Sequence, residues 1–260
     1  MFDSVNFRNR VLAREALVGV HAESNDPAFS EIFGQAGYDY VWIDTEHTSM
    51  SYEQIQAHIL AAHYAGAAAL VRAHINDLNH TKRILEMGPS GIIFPMVSTP
   101  EMAQAAMESC LYPPLGIRGF GPKRAVNYGV DDMAEYVKEQ PRRLAKFIQL
   151  ESAEAVKNLP EIVKNPLIDG YIIGPCDLSG SIGHLPDYKC PENLALIREI
   201  VKILNDHGKC IGLSIGFASR DEYLFWRNMG INMISTGGDY YFAVTSAKQY
   251  IADIRQSDTK

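Results

Sequence analysis

The sequence predicts an α/β fold, a single (β/α)8 TIM barrel spanning residues 1–260. Two patterns and one absence carry this expectation. Eight short apolar runs recur along the chain, amphipathic helical stretches separate them, and no glycine-rich turn follows the first run. Near-continuous apolar runs suit strands buried on both faces of a parallel sheet. Regular alternation of strand and helix suits a barrel, for which about 250 residues is the usual length. The rival, an open doubly wound sheet, normally places a glycine-rich phosphate turn after its first strand.

The predicted strands are residues 17–21, 40–44, 68–72, 91–95, 145–151, 170–173, 209–215 and 232–236. Helix signals lie between them. Pro100 follows Ser98 and Thr99, the pattern of a capped start with proline in the first turn. Pro191 opens a helix with apolar residues Leu194, Ile197, Ile200, Val201 and Leu204 at helical spacing. Gly88 and Gly208 stand where left-handed C-caps belong. Residues 77–87, 219–229 and 240–254 also read as helices. The irregular, Pro- and Gly-rich stretch 112–128 is expected to be a loop over the mouth of the site, because long structureless connections are usually functional.

A net charge of −7 argues against nucleic acid or an anionic membrane as partner, since both require a basic face. No apolar run is long enough to span a membrane. Residues 1–10 lack the apolar core of a signal peptide. Cys110, Cys176, Cys190 and Cys210 form no C-x-x-C pair. A reduced, cytoplasmic setting is therefore expected.

In a barrel, chemistry belongs at the C-terminal ends of the strands. The residues predicted there are Asp44, Glu46 and His47; Arg72; Gln149 and Glu151; Cys176 and Asp177; and the segment 235–238. Glu151 and Asp177 fall on neighbouring strand ends. Two carboxylates suit a hard ion such as Mg2+ or Mn2+, and they equally suit a helix cap and a solvated loop acid. Arg72 is either a salt bridge at the rim or a fixed cation facing an anionic oxygen. His47 is either structural or an acid/base group oriented by Asp44. Residues 235–238 resemble a phosphate cradle, but Asp239 follows and would repel phosphate. Lys146 and Lys209 begin strands, so neither is placed for a Schiff base.

Taken together, Ile43-Asp-Thr-Glu-His47, Val71-Arg72, Phe94-Pro-Met-Val97, residues 112–119, Gln149-Leu-Glu151 and Gly174-Pro-Cys-Asp-Leu-Ser179 resemble the HpcH/HpaI aldolase family of class II pyruvate aldolases, in order and spacing over roughly residues 15 to 245. The resemblance implies a divalent metal (Mg2+, Mn2+ or Co2+) on Glu151 and Asp177. It implies enolate stabilisation by Arg72, and acid/base work by His47 through a water, with Asp44 beside it. Gln149 would lie near pyruvate, and the amides of Cys176 and Asp177 would bind its carboxylate. The implied reaction joins pyruvate and an aldehyde, or cleaves a 4-hydroxy-2-oxo acid. The implied assembly is a homo-oligomer, commonly a hexamer, with a C-terminal helix, residues 239–255, at a subunit interface. Cys176 replaces the family's usual alanine, and residues 121–129 and 213–216 also depart from the common pattern, which bears on aldehyde choice. Two alternatives remain at this point: a citrate-lyase-like CoA-ester lyase on the same barrel, and a non-catalytic ligand-binding barrel.

Overall fold

A computed structural model describes residues 2–257. Met1 and residues 258–260 of the expected domain lie outside the described residues. The elements run α1 (Ser4–Leu12), β1 (Leu17–Ala22), α2 (Ala28–Gln35), β2 (Tyr40–Asp44), α3 (Tyr52–Tyr64), β3 (Ala68–Arg72), α4 (Leu78–Glu86), β4 (Gly91–Phe94) and α5 (Pro100–Cys110). A short 3-10 segment (Arg124–Gly129) precedes α6 (Met133–Arg143), β5 (Ala145–Leu150), α7 (Ala153–Ile162), β6 (Gly170–Ile173), α8 (Pro175–Gly180), α9 (Pro191–Asp206), β7 (Cys210–Ser214), α10 (Arg220–Asn228), β8 (Met233–Gly238) and α11 (Asp239–Ser257). All eight strands pair in parallel and in chain order, and β8 closes on β1. The fold is the expected (β/α)8 barrel.

The helix signals correspond to observed caps. Thr99 and Ser219 accept hydrogen bonds from Met102 N–H and Glu222 N–H, and Asp77 accepts from Asn79 and His80. Gly88 and Gly208 both have φ of +65°, as a left-handed C-cap requires.

Side chains of a strand alternate between its two faces, and the barrel has two cores as a result. Val41, Ile43, Ala69, Val71, Ile148, Leu150, Tyr171 and Ile173 face the helices. Leu17, Tyr40, Trp42, Ala68, Leu70, Phe147 and Ile172 fill the inside. Gly19 is required there: a Cβ on it would lie 2.1 Å from the Tyr40 ring. Helix α1 plugs the N-terminal end, adding Phe7 and Val11 to the inner core. Its Arg8 donates to Asp169 at 3.0 and 2.6 Å.

Residues 112–128 are not at the mouth. The segment follows a helix, and the helices return the chain to the N-terminal face of the sheet. Arg118 there bonds Glu86 at 2.9 Å, and Arg124 bonds the Met87 and Gly88 carbonyls at the end of α4.

The same face holds a buried ion cluster in which Lys146 Nζ donates to Asp169 at 2.9 Å, with 2% of each residue exposed. Asp169→Asn leaves Lys146 and Arg8 without their carboxylate. Urea unfolding is expected to show a loss of about 3–5 kcal/mol, while the C-terminal ends of the strands, at the other face, keep their arrangement.

Candidate active site

Asp44 and Arg72 end adjacent strands and are register partners. Arg72 Nε and an Nη donate to the two Asp44 carboxylate oxygens at 3.0 and 2.5 Å. The other Nη meets Glu46 at 2.9 Å, and the guanidinium lies 5.3 Å from the Trp42 ring centroid. Burial opposes charge on Asp44, but the Arg72 fork and the N–H groups of Glu46 and His47 hold its carboxyl below the usual range. A guanidinium has five N–H donors. Three are engaged, so two remain for a ligand.

Glu151 follows β5 at the level of Gly174, which follows β6. Its carboxylate accepts from Met96 N–H at 3.0 Å and from Gln149 Nε2 at 2.6 Å. Met96 has φ of +53°; this left-handed bend turns its N–H toward the carboxylate. Gly174 is necessary because a Cβ there would lie 2.3 Å from Glu151 Oε1. Glu151 is only 4% exposed. Burial pushes its pKa up to about 7; the Met96 N–H opposes this, the charges of Asp177 and Glu46 add to it, and Arg72 pulls it back. Asp177 lies in the first turn of α8, exposed. The N–H groups of Cys176 and Asp177 belong to that turn, where no preceding helical carbonyl accepts them.

These surroundings fit a divalent cation. Burial and acidic neighbours raise the Glu151 carboxyl, and no salt bridge to it offsets this among the described residues. The Gln149 Oε1 acceptor is buried without a partner. Oxygen donors of this kind match a hard ion.

His47 sits at the mouth with its ring exposed, and its nearest carboxylate is Glu46 at 3.9 Å. Asp44 does not orient the imidazole. It receives the His47 backbone N–H at 3.4 Å and commits its side chain to Arg72. Glu46, predicted at the same strand end, gains a role from the structure. It stands within the quoted motif, but its link to Arg72 needs the fold. His21, near the end of β1, packs against Trp42 and is bonded to the Gly237 carbonyl and Ser214, with its pKa lowered chiefly by burial. Asp239 also has a structural task, accepting the N–H groups of Glu23 and Ser24 at 2.9 Å. Lys146 and Lys209 lie at the opposite face, bonded to Asp169 and the Ile168 carbonyl.

A carboxyl whose folded pKa lies above its unfolded value of 4.5 favours folding below that value and loses the benefit as pH rises through about 7. Metal-free Glu151→Gln is therefore expected to be more stable than the metal-free parent by about 3 kcal/mol at pH 8 and equal to it near pH 4. Melting curves of chelator-treated protein test this; parallel pH profiles would exclude a raised Glu151.

The HpcH/HpaI aldolase/citrate lyase family model matches residues 17–240. The 5-keto-4-deoxy-D-glucarate aldolase of Escherichia coli is 29% identical over 249 residues, covering 95% of each chain. An HpcH/HpaI aldolase/citrate lyase family protein from Burkholderia cenocepacia superposes with a TM-score of 0.90 at 25% identity, covering 96% of this chain and 99% of the other. The HpcH/HpaI aldolase from Desulfitobacterium hafniense gives 0.89 at 25% identity, with 98% and 97% covered. With the strand-end acids and arginine in place, the chain belongs to the HpcH/HpaI aldolase/citrate lyase family and is a carbon–carbon lyase.

Proposed function

We propose that the protein is a divalent-metal-dependent aldolase that cleaves or forms a 4-hydroxy-2-oxo acid through a pyruvate enolate and an aldehyde. The observation that carries this is the Glu151 carboxylate, its pKa raised chiefly by burial and further by Asp177 and Glu46, beside an Arg72 with two N–H groups to spare. Glu151 and Asp177 would hold Mg2+, Mn2+ or Co2+, and the bound ion would supply the Lewis acidity that polarises a chelated 2-oxo acid. The amides of Cys176 and Asp177 bind the pyruvate carboxylate. Arg72, immobilised by Asp44, donates to the enolate oxygen without reorganising. Gln149 orders the ligand or water in front of Glu151. His47, exposed at the mouth, exchanges a proton with the aldehyde oxygen, directly or through a water. The glucarate-derived substrate in the Escherichia coli relative's name suggests a sugar-acid aldehyde as partner.

Kinetics test these roles together. Glu151→Ala, Asp177→Ala and EDTA treatment should each abolish proton exchange at the pyruvate methyl. Arg72→Lys, which cannot keep the two-pronged grip on Asp44, should lower kcat by about 100-fold or more, and His47→Ala should slow aldol cleavage. Full activity after metal removal would sink the metal assignment. Turnover of CoA esters instead of free 2-oxo acids would favour the citrate-lyase alternative.

Self-association belongs to the same proposal. Every residue from 243 to 256 in α11 is exposed, including Val244, Tyr250, Ile251 and Ile254. A helix that extends off the barrel with an apolar set uncovered suits packing against a second copy. Val244→Asp with Ile251→Asp is expected to lower the mass measured by light scattering to that of smaller assemblies. An unchanged mass would move the interface elsewhere.

A further inference from the structure

The connection from α8 to α9 holds chemistry that the proposed pyruvate site does not use. The His184 imidazole, the Cys190 thiol and the Glu192 carboxylate each place a ligand atom within 4.8 Å of the other two. Cys190 is buried and is the N-cap residue of α9, yet its side chain makes no capping bond. His184 and Glu192 are exposed. The backbone that carries these donors is already folded. Ser179 O accepts the His184 N–H at 2.9 Å, His184 O accepts the Asp187 N–H at 2.7 Å, and Asp187 O accepts the Cys190 N–H at 3.3 Å. The fully buried Asn193 donates to the Tyr188 carbonyl at 2.8 Å and to the Pro175 carbonyl at 3.0 Å.

We propose that His184, Cys190 and Glu192 form a second cation site, for a borderline-soft divalent ion of the Zn2+ class, with water completing four-coordination. Sulfur and imidazole select such an ion, whereas Mg2+ gains nothing from a thiolate. Bonds of about 2.0–2.3 Å set ligand atoms roughly 3.3–3.7 Å apart in a tetrahedral shell. From a present separation of at most 4.8 Å, the three donors must therefore close by no more than roughly 1.5 Å. Rotation of the exposed His184 and Glu192 side chains supplies this, with Cys190 as the fixed end. Glu192 and the cysteine sulfur share the first turn of α9, where negative charge is favoured.

The site's task follows from Asn193. This side chain ties the loop to Pro175, the first residue of α8, and the same turn carries Cys176 and Asp177. A cation between His184 and α9 would brace that turn from behind. It would be a structural ion beside the mouth, distinct from the oxygen-donor pair Glu151 and Asp177.

Cobalt distinguishes the two, because only a thiolate ligand gives a near-ultraviolet sulfur-to-Co2+ charge-transfer band. Full-length, metal-stripped protein is titrated with Co2+ under a non-chelating phosphine reductant. The expected result is two equivalents bound, one of them with the band, which Zn2+ displaces and Mg2+ does not. Cys190→Ser retains a favoured N-cap residue, so the helix start survives, and it should remove the band and one equivalent. His184→Ala should weaken that equivalent roughly tenfold or more. Glu151→Gln should remove the other equivalent and keep the band. Cys176→Ser should also keep it, although Cys176 is the thiol beside Asp177. The proposal is overturned by absence of the band in the parent, by its survival in Cys190→Ser, or by its loss in Glu151→Gln or Cys176→Ser.

Discussion

A closed parallel barrel directs every second side chain at its axis, and the space there is fixed. The rest of this molecule follows from how that space is filled. Lower layers take apolar side chains, and Gly19 exists because Tyr40 needs its volume. The uppermost layer takes Asp44, Arg72 and Gln149, the inward residues closing β2, β3 and β5. These polar groups, and Glu151 beside them, are nonetheless buried. Perturbed acids arise in such surroundings.

The charge at the mouth is unbalanced. Asp44, Glu46, Glu151 and Asp177 face a single Arg72, and Arg72 is already held by the first two. Burial, with the charges of Asp177 and Glu46 added to it, pushes the Glu151 carboxyl up to about 7. A buried carboxylate with acidic neighbours is a costly arrangement unless a cation joins it. An anionic 2-oxo acid would add further negative charge, which strengthens the case for a divalent ion arriving with it or before it.

The strands were readable because burial on both faces leaves long apolar runs; β2, β3 and β6 match their predicted limits and the others differ by one or two residues at an end. Helix α1 escaped notice because only Phe7 and Val11 of its nine residues are buried, too sparse a pattern for periodicity. Composition marked residues 112–128 as irregular, but composition carries no face; the direction of the preceding helix does. At the site, Glu151 ends an apolar run and Asp177 lies in the turn after one. Pairing Asp44 with Arg72 required the β2–β3 register, and Glu46 required the turn after β2. Local sequence holds neither.

That pairing changes what Asp44 does. Beside a histidine it would set a tautomer and raise a pKa. Against Arg72 it removes rotational freedom from a long cationic side chain and consumes two of its five donors. Glu46 engages a third, and lies between Arg72 and His47 at 2.9 and 3.9 Å. The remaining N–H groups are then few and fixed in direction. In the proposed reaction a cation works by being in place before charge develops, and the two acids around Arg72 would contribute by restricting it. His47 keeps its ring exposed at the mouth, where the proposed proton exchange with an incoming aldehyde would need it.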